Sequence, residues 1–134
     1  IFVIETSPRL GGDYITSTLT PLSTGINLED QLLHIALGEP VDTTTGRVDK
    51  ASAVCFFSLS EGKVKAIDSR INEVSKWPNV HSFHLKLKAG DTVNKITSSL
   101  NRYGQFIVTS DSREEVDSLV EKYEHQINQL IIVE

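Results

Sequence analysis

Gln105-Phe106-Ile107-Val108-Thr109-Ser110-Asp111-Ser112-Arg113-Glu114-Glu115-Val116, continuing through Leu119, Val120 and Tyr123 to Ile127, carries the architecture of the chain in one run. Gln105 to Thr109 is a β-branched and aromatic stretch entered through Gly104, which reads as a strand. Asp111 with Glu114, or Ser112 with Glu115, supplies a capping box for a helix start. Val116, Leu119, Val120, Tyr123 and Ile127 then recur at i, i+3, i+4, i+7 and i+11, one buried stripe of an amphipathic helix. Ile131 to Val133 add a last short strand.

Working back from this run, Phe83, Leu85 and Leu87 alternate with His84, Lys86 and Lys88 and, with Val80, mark a strand with one dry and one wet face. Ala89-Gly90-Asp91 is a turn, and residues 92–101 are polar and ambiguous. Residues 51–59 form a strongly apolar strand, Ser60-Glu61-Gly62 a tight turn and residues 63–69 a second strand, which together predict a hairpin. Residues 70–79 are irregular or a single helical turn, ended by Trp77-Pro78-Asn79, with Trp77 a packing anchor. From residue 51 onward the pattern is several antiparallel strands with one helix across a face, a two-layer α+β module.

The amino-terminal part differs in composition. Residues 1–6 read as a buried strand. Residues 7–25 hold glycines, prolines and many Ser and Thr, and predict a long loop or a strand-loop-strand. A helix is predicted over residues 28–37, with Asn27 as N-cap, Glu29 and Asp30 on its first turn, and Gly38 and Pro40 ending it. Leu28, Leu32, Ile35 and Leu37 supply its apolar content, widened by Leu33 and Ala36. The polar run 42–50 reads as a linker, so domains are expected over 1–47 and 48–134.

The composition bounds the function. The chain has 134 residues and a net charge of −5, which argues against a nucleic-acid partner, since that needs clustered Lys and Arg. No apolar stretch approaches the length of a membrane span, and no secretory signal pattern is visible. There is no methionine, so Ile1 is not a translation start and the chain reads as a fragment. A single cysteine, Cys55, excludes an internal disulfide and reads as a buried thiol, compatible with a reducing, cytoplasmic setting.

The candidate site lies at the start. On a strand Glu5, Ser7 and Arg9 project to one side, at successive intervals of roughly 6.6 Å. A carboxylate and a hydroxyl are hard oxygen ligands that suit Mg²⁺, and a guanidinium pairs bidentately with phosphate or carboxylate. Gly11 and Gly12 let a backbone approach an anion. From spacing alone the plainer reading is a surface Glu–Arg pair on an edge strand followed by a turn. His81 and His84, at odd separation on a strand, are expected on opposite faces. His34 and His125 lie on helices with no acidic partner at ligand spacing. None of the four is expected to bind a metal, and Arg102 reads as a turn cation.

Three segments in order shift those weights: Ile4-Glu5-Thr6-Ser7-Pro8-Arg9-Leu10-Gly11-Gly12-Asp13-Tyr14-Ile15, Ser23-Thr24-Gly25-Ile26-Asn27-Leu28, and Ala36-Leu37-Gly38-Glu39-Pro40. Together they resemble the end of an ATP-grasp domain of the carboxylate–amine ligase branch, which includes phosphoribosylamine–glycine ligases, L-amino-acid ligases and, more distantly, biotin carboxylases. Lys88 to Val93, Asn101 to Val108 and Asp111 to Glu115 are similar to the carboxy-terminal lobe of the amino-acid-ligase version. The resemblance implies an α+β fold: the end of an ATP-grasp core (strand, loop, helix), then a small antiparallel sheet covered by one amphipathic helix.

The resemblance also implies ATP and Mg²⁺ as cofactors of the intact enzyme, and small-molecule carboxylate and amine substrates joined through an acylphosphate. Glu5 and Ser7 are the implied metal ligands, with Ser7 standing where the family has Asn. Arg9 is the implied anion clamp, and the glycine loop 11–13, with Gly11 and Gly12 as the implied binding residues, is implied to lie near the acyl-acceptor pocket. The fragment alone is expected to be inactive. Exposed strand edges make a homo-oligomer an expectation as well. The alternatives are a non-catalytic α+β binding or regulatory module, or a biotin carboxylase-like relative.

Overall fold

Hydroxyl groups organise the segment that the sequence leaves irregular. In the structure, a computed structural model describing residues 2, 6–7, 9–41 and 48–134, Ile15–Leu19 form a π-helical turn and Thr20–Thr24 a short helix, α1. The expectation of a loop throughout 7–25 is therefore corrected. The Oγ1 of Thr20 donates to Ile15 O at 2.9 Å, Ser23 Oγ to Leu19 O at 2.8 Å and Thr24 Oγ1 to Thr20 O at 2.7 Å. Ser and Thr that bond back to preceding carbonyls satisfy a short coil without needing an apolar stripe, so hydrophobic periodicity does not reveal it.

Helix α2 spans Leu28–Leu37, as its punctuation predicts. Asn27 Oδ1 accepts the backbone N–H groups of Glu29 and Asp30, both at 3.1 Å. Gly38 closes the helix at φ 71°, a left-handed conformation that glycine adopts without strain. No residue of α2 is buried, and Leu33, Ile35 and Leu37 are 63%, 61% and 72% exposed. The backbone N–H groups of Val48 and Lys50 donate to Thr24 O and Ser23 O, which ties these residues to α1. The chain divides into two compact units, Ile1–Lys50 and Ala51–Glu134.

The second unit holds the core. Its strands are β1 (Ala51–Cys55), β2 (Gly62–Ile67), β3 (Val80–Leu85), β4 (Thr92–Val93), β5 (Gly104–Ser110) and β6 (Ile131–Val133). They form two three-stranded antiparallel sheets, β1-β5-β3 and β4-β2-β6. The antiparallel α+β class holds, but the hairpin predicted from 51–59 and 63–69 does not form. β1 instead pairs with β5, Ala51 opposite Ser110 through Cys55 opposite Phe106. β2 pairs with β4 and β6. β5 is apolar on both faces, with Phe106, Ile107 and Val108 at most 1% exposed, and it needs a partner on each edge to satisfy its backbone. Gly62 has a different job from a hairpin turn: a Cβ there would lie 2.5 Å from Glu134 O and 2.9 Å from Val133 Cγ1.

Helix α3, Arg113–Gln129, starts at Ser112, whose Oγ accepts the N–H of Glu115 at 3.2 Å. Of the two capping pairs, Ser112 with Glu115 is the one used. The Glu115 carboxylate does not complete the box, however; it accepts the Ser110 hydroxyl at 2.6 Å. Val116, Tyr123 and Ile127 of α3 are buried against a cluster that includes Phe57, Val64, Val74, Phe106 and Val108. Tyr123 donates to Pro78 O at 2.9 Å and stacks at a tilt on Trp77, ring centroids 5.0 Å apart, so Trp77 does anchor its segment.

That segment, Ser69–Lys76, is a 3₁₀ helix of 8 residues, longer than the single turn expected. Asp68 starts it, accepting from the Arg70 backbone N–H at 2.9 Å and from its guanidinium at 2.8 and 3.0 Å. The Arg70 side chain, then its backbone N–H, hold the exposed Asp68 carboxyl down at about 2.

Candidate functional site

The candidate segment is a sharp turn on an exposed stretch of chain. Glu5 lies outside the described residues. Ser7 and Arg9 are both exposed; the Arg9 backbone N–H donates to Ser7 Oγ at 3.4 Å, and Arg9 Nη1 donates to Leu10 O at 3.2 Å. Beyond them the chain reverses: the Ile15 N–H donates to Gly12 O at 3.0 Å, and Tyr14 O accepts from Thr18 and Leu19 at 3.0 and 2.9 Å.

Asp13 and Tyr14 stand at φ 51° and 67°, two successive non-glycine residues in the left-handed region. Such residues cost of order 1–3 kcal/mol each and cluster at ligand-binding turns. The strain at Tyr14 was not readable in advance, because tyrosine carries no preference for this conformation. The two glycines differ from one another. A Cβ on Gly11 would sit 3.2 Å from Ile15 Cγ2 and 3.4 Å from Thr16 Oγ1, whereas one on Gly12 would meet nothing within 4 Å. A side chain at Gly11 would crowd Ile15 and Thr16, whereas Gly12 faces open space.

The remaining candidates resolve differently. His34 does have acidic partners, contrary to expectation: Nδ1 lies 2.7 Å from Glu39 Oε2 and Nε2 lies 3.7 Å from Asp30 Oδ2. The two carboxylates approach opposite ring nitrogens and cannot converge on one ion. The face argument for His81 and His84 also fails, because a register shift between Val80 and Ser82 breaks the alternation of β3. That shift lets Val80 join Phe83 and Leu85 against the core despite their odd spacing. Among the described residues no group of three or more His, Cys, Asp or Glu side chains could hold a metal ion, and no helix is long and apolar enough to cross a membrane.

Arg102 lies 3.8 Å from the centroid of the Phe56 ring, a stacked cation rather than a plain turn charge. Cys55 is buried and free; burial first, then Glu124, pushes its thiol up to about 12, so it is protonated and inert at neutral pH. An open cavity of about 520 Å³ is lined by Asn79, Ser110, Glu114, Glu115, Ser118 and Leu119. Its lining contains none of the candidate ligand or metal residues Ser7, Arg9, Gly11 and Gly12.

A family model of the L-amino acid ligase C-terminal domain 2 matches residues 55–129. The chain belongs to that family. Two solved structures share the fold of this L-amino-acid-ligase-type lobe and its preceding segment. Phosphoribosylglycinamide synthetase from Anaerococcus prevotii matches with TM-score 0.65 and 17% identity, over 94% of this chain and 31% of that one. The L-amino acid ligase from Bacillus licheniformis matches with TM-score 0.67 and 20% identity, over 99% of this chain and 32% of that one. This chain therefore spans about a third of the length of each. No curated protein matches by sequence. The chain thus carries an L-amino acid ligase C-terminal domain 2 and has an α+β fold shared with these ligases.

Proposed function

We propose that this chain is the carboxy-terminal part of an ATP-dependent carboxylate–amine ligase, with residues 1–47 ending the ATP-grasp domain and 48–134 forming its lobe. The observation that carries the reading is the family match over residues 55–129; the fold shared with two ATP-grasp-type ligases across nearly the whole chain supports it. In the proposed reaction a substrate carboxylate attacks the γ-phosphorus of ATP, the bond to the β–γ bridging oxygen breaks, ADP leaves, and an acylphosphate is formed. An amine then attacks the acyl carbon, and phosphate leaves as the amide forms. Such phosphoryl transfer depends on positioning and on charge stabilisation rather than on a side-chain nucleophile.

Within it, Arg9 clamps the anion at the reacting end. Its guanidinium is exposed and donates to Leu10 O, leaving further N–H donors for a phosphate or carboxylate. Gly12 leaves room for the acyl acceptor to approach the backbone. For Mg²⁺, Ser7 Oγ offers a neutral oxygen and the described residues hold no acidic cluster, so Glu5 is the proposed carboxylate ligand. Mg²⁺ in the intact enzyme would neutralise phosphate charge. The lysines, adenine pocket and second acidic ligand are assigned to the parent enzyme upstream of this segment.

In the intact enzyme, Arg9→Ala is expected to lower kcat/KM about 100-fold or more, a loss of roughly 2.7 kcal/mol of transition-state stabilisation, with an unchanged melting temperature. Glu5→Ala is expected to abolish ligation. Undiminished ATP-dependent phosphate release in both variants overturns the site. Binding of ATP to the isolated chain at millimolar affinity or tighter, read by titration calorimetry, overturns the division of labour.

A further inference from the structure

A second site, independent of the ligase reading, lies in the lobe where β3 ends and β5 begins. Leu85 pairs with Gly104 at that end of the sheet, and the Lys86 backbone N–H donates to Tyr103 O at 2.8 Å. This pairing brings two cations, Lys86 and Arg102, to neighbouring strand ends, and both line an open cavity of about 400 Å³. Arg102 is seated on the Phe56 ring, its guanidinium carbon 3.8 Å from the centroid. Stacking uses a flat face of the guanidinium, while its N–H donors radiate in the plane. Asp91, an acid in the same wall, serves its own turn: its Oδ2 accepts the Lys88 backbone N–H at 2.9 Å. In a chain of net charge −5, cations gathered at one cavity select anions.

The same wall has an apolar part, Leu87 and Leu100. Leu100 is 90% exposed, in the middle of the 3₁₀ turn Ser99–Asn101. Asn101 Oδ1 accepts from the Ser98 backbone N–H at 2.9 Å and from the Ser98 hydroxyl at 3.0 Å, which holds the turn with this leucine outward. A large apolar side chain fixed in water beside two cations suits a ligand that has both an anionic and an apolar end.

We propose that this cavity binds a small carboxylate bearing a branched apolar chain. Arg102 takes the carboxylate through its planar fork and Lys86 as a point charge, and the hydrocarbon covers Leu87 and Leu100. A bare phosphate satisfies the cations but leaves Leu100 in water. An apolar amide covers Leu100 but offers the cations no charge.

The test is a titration of the 134-residue chain with isocaproate, followed by the shifts of backbone amide signals in nuclear magnetic resonance. Saturable shifts are expected at Leu87, Arg102 and Tyr103, with millimolar affinity. Isocaproamide, which lacks the charge, should bind about tenfold more weakly or worse, the scale of one hydrogen bond to a charged group. Lys86→Gln should weaken isocaproate binding by about the same factor, and Leu100→Ser by about threefold or more. Both residues are exposed, so both variants should keep the melting temperature of the unaltered chain. Absence of saturable shifts overturns the proposal, as does equal binding of isocaproamide or undiminished binding in either variant. Inorganic phosphate bound as tightly as isocaproate overturns the carboxylate in favour of a phosphate site.

Discussion

The two compact units put their residues to opposite uses. Ala51–Glu134 buries a continuous set of apolar side chains, from Cys55 and Phe57 to Ile131. In Ile1–Lys50 the buried residue among those described is Thr16, while Leu32, Leu33, Ile35 and Leu37 of α2 lie 47–72% exposed. The proposed chemistry sits in the unit whose described residues bury no apolar side chain. Burial of apolar area is the main source of folding free energy, so the lobe has what it needs to stand alone. The first unit holds its shape through caps, hydroxyl-to-carbonyl bonds and two glycine-terminated helices. A ligand-binding turn gains from this arrangement, since its polar groups stay available instead of being used in packing.

Four changes test that contrast, in descending order of effect. Phe106→Ala in the centre of β5 should cost about 3–5 kcal/mol, the range for truncating a buried aromatic, read as a lower urea midpoint followed by circular dichroism. A cost under about 1 kcal/mol would mean the lobe has no tight core. Ser112→Ala removes the oxygen that caps α3 at Glu115 and should cost roughly 1 kcal/mol; thermal melting checks it, and Ser112→Thr should restore most of the loss.

The third test uses pH. The Cys55 thiol, raised from its ordinary 9.0 to about 12, stays protonated in the fold at pH values where the unfolded chain ionises. Its contribution to stability is fully present below pH 9 and is lost progressively between pH 9 and about 12. Cys55→Ala should flatten that part of the stability profile, and alkylation of the wild-type thiol should be slow until unfolding. Smallest of all, Leu33→Ala on the exposed face of α2 should change stability by no more than about 0.5 kcal/mol. A loss comparable to that of Phe106→Ala would show that the first unit has a core of its own and would erase the contrast.

The same contrast explains which features could be foreseen. Helix α2 was legible to the residue, and the stripe of α3 with two alternative starts, because their signals are local: Asn27 and Gly38 bracket one, and an apolar stripe after the 111–115 caps marks the other. The short coil at 15–24 was missed because its carbonyls are satisfied by Thr20, Ser23 and Thr24 hydroxyls rather than by a periodic apolar face. The partners of His34 were missed because Glu39 reaches it only after the Gly38 turn folds the chain back. For the candidate site, the order of Glu5, Ser7, Arg9, Gly11 and Gly12 was readable, whereas the unequal surroundings of the two glycines were not.

By itself, then, the amino-acid order determined the bounds of α2, the apolar stripe of α3, the α+β class and the family resemblance, since each rests on residues within a few positions of one another. Tertiary structure alone decided that β1 and β2 part company to serve different sheets, that Val80 slips past Ser82 to reach the core, and that Asp13 and Tyr14 turn left-handed. Those outcomes depend on contacts between distant residues. The demand of β5 for a partner on each edge outweighs the local preference of Ser60-Glu61-Gly62 for a hairpin, because an unpaired backbone inside the sheet costs more than a turn contributes.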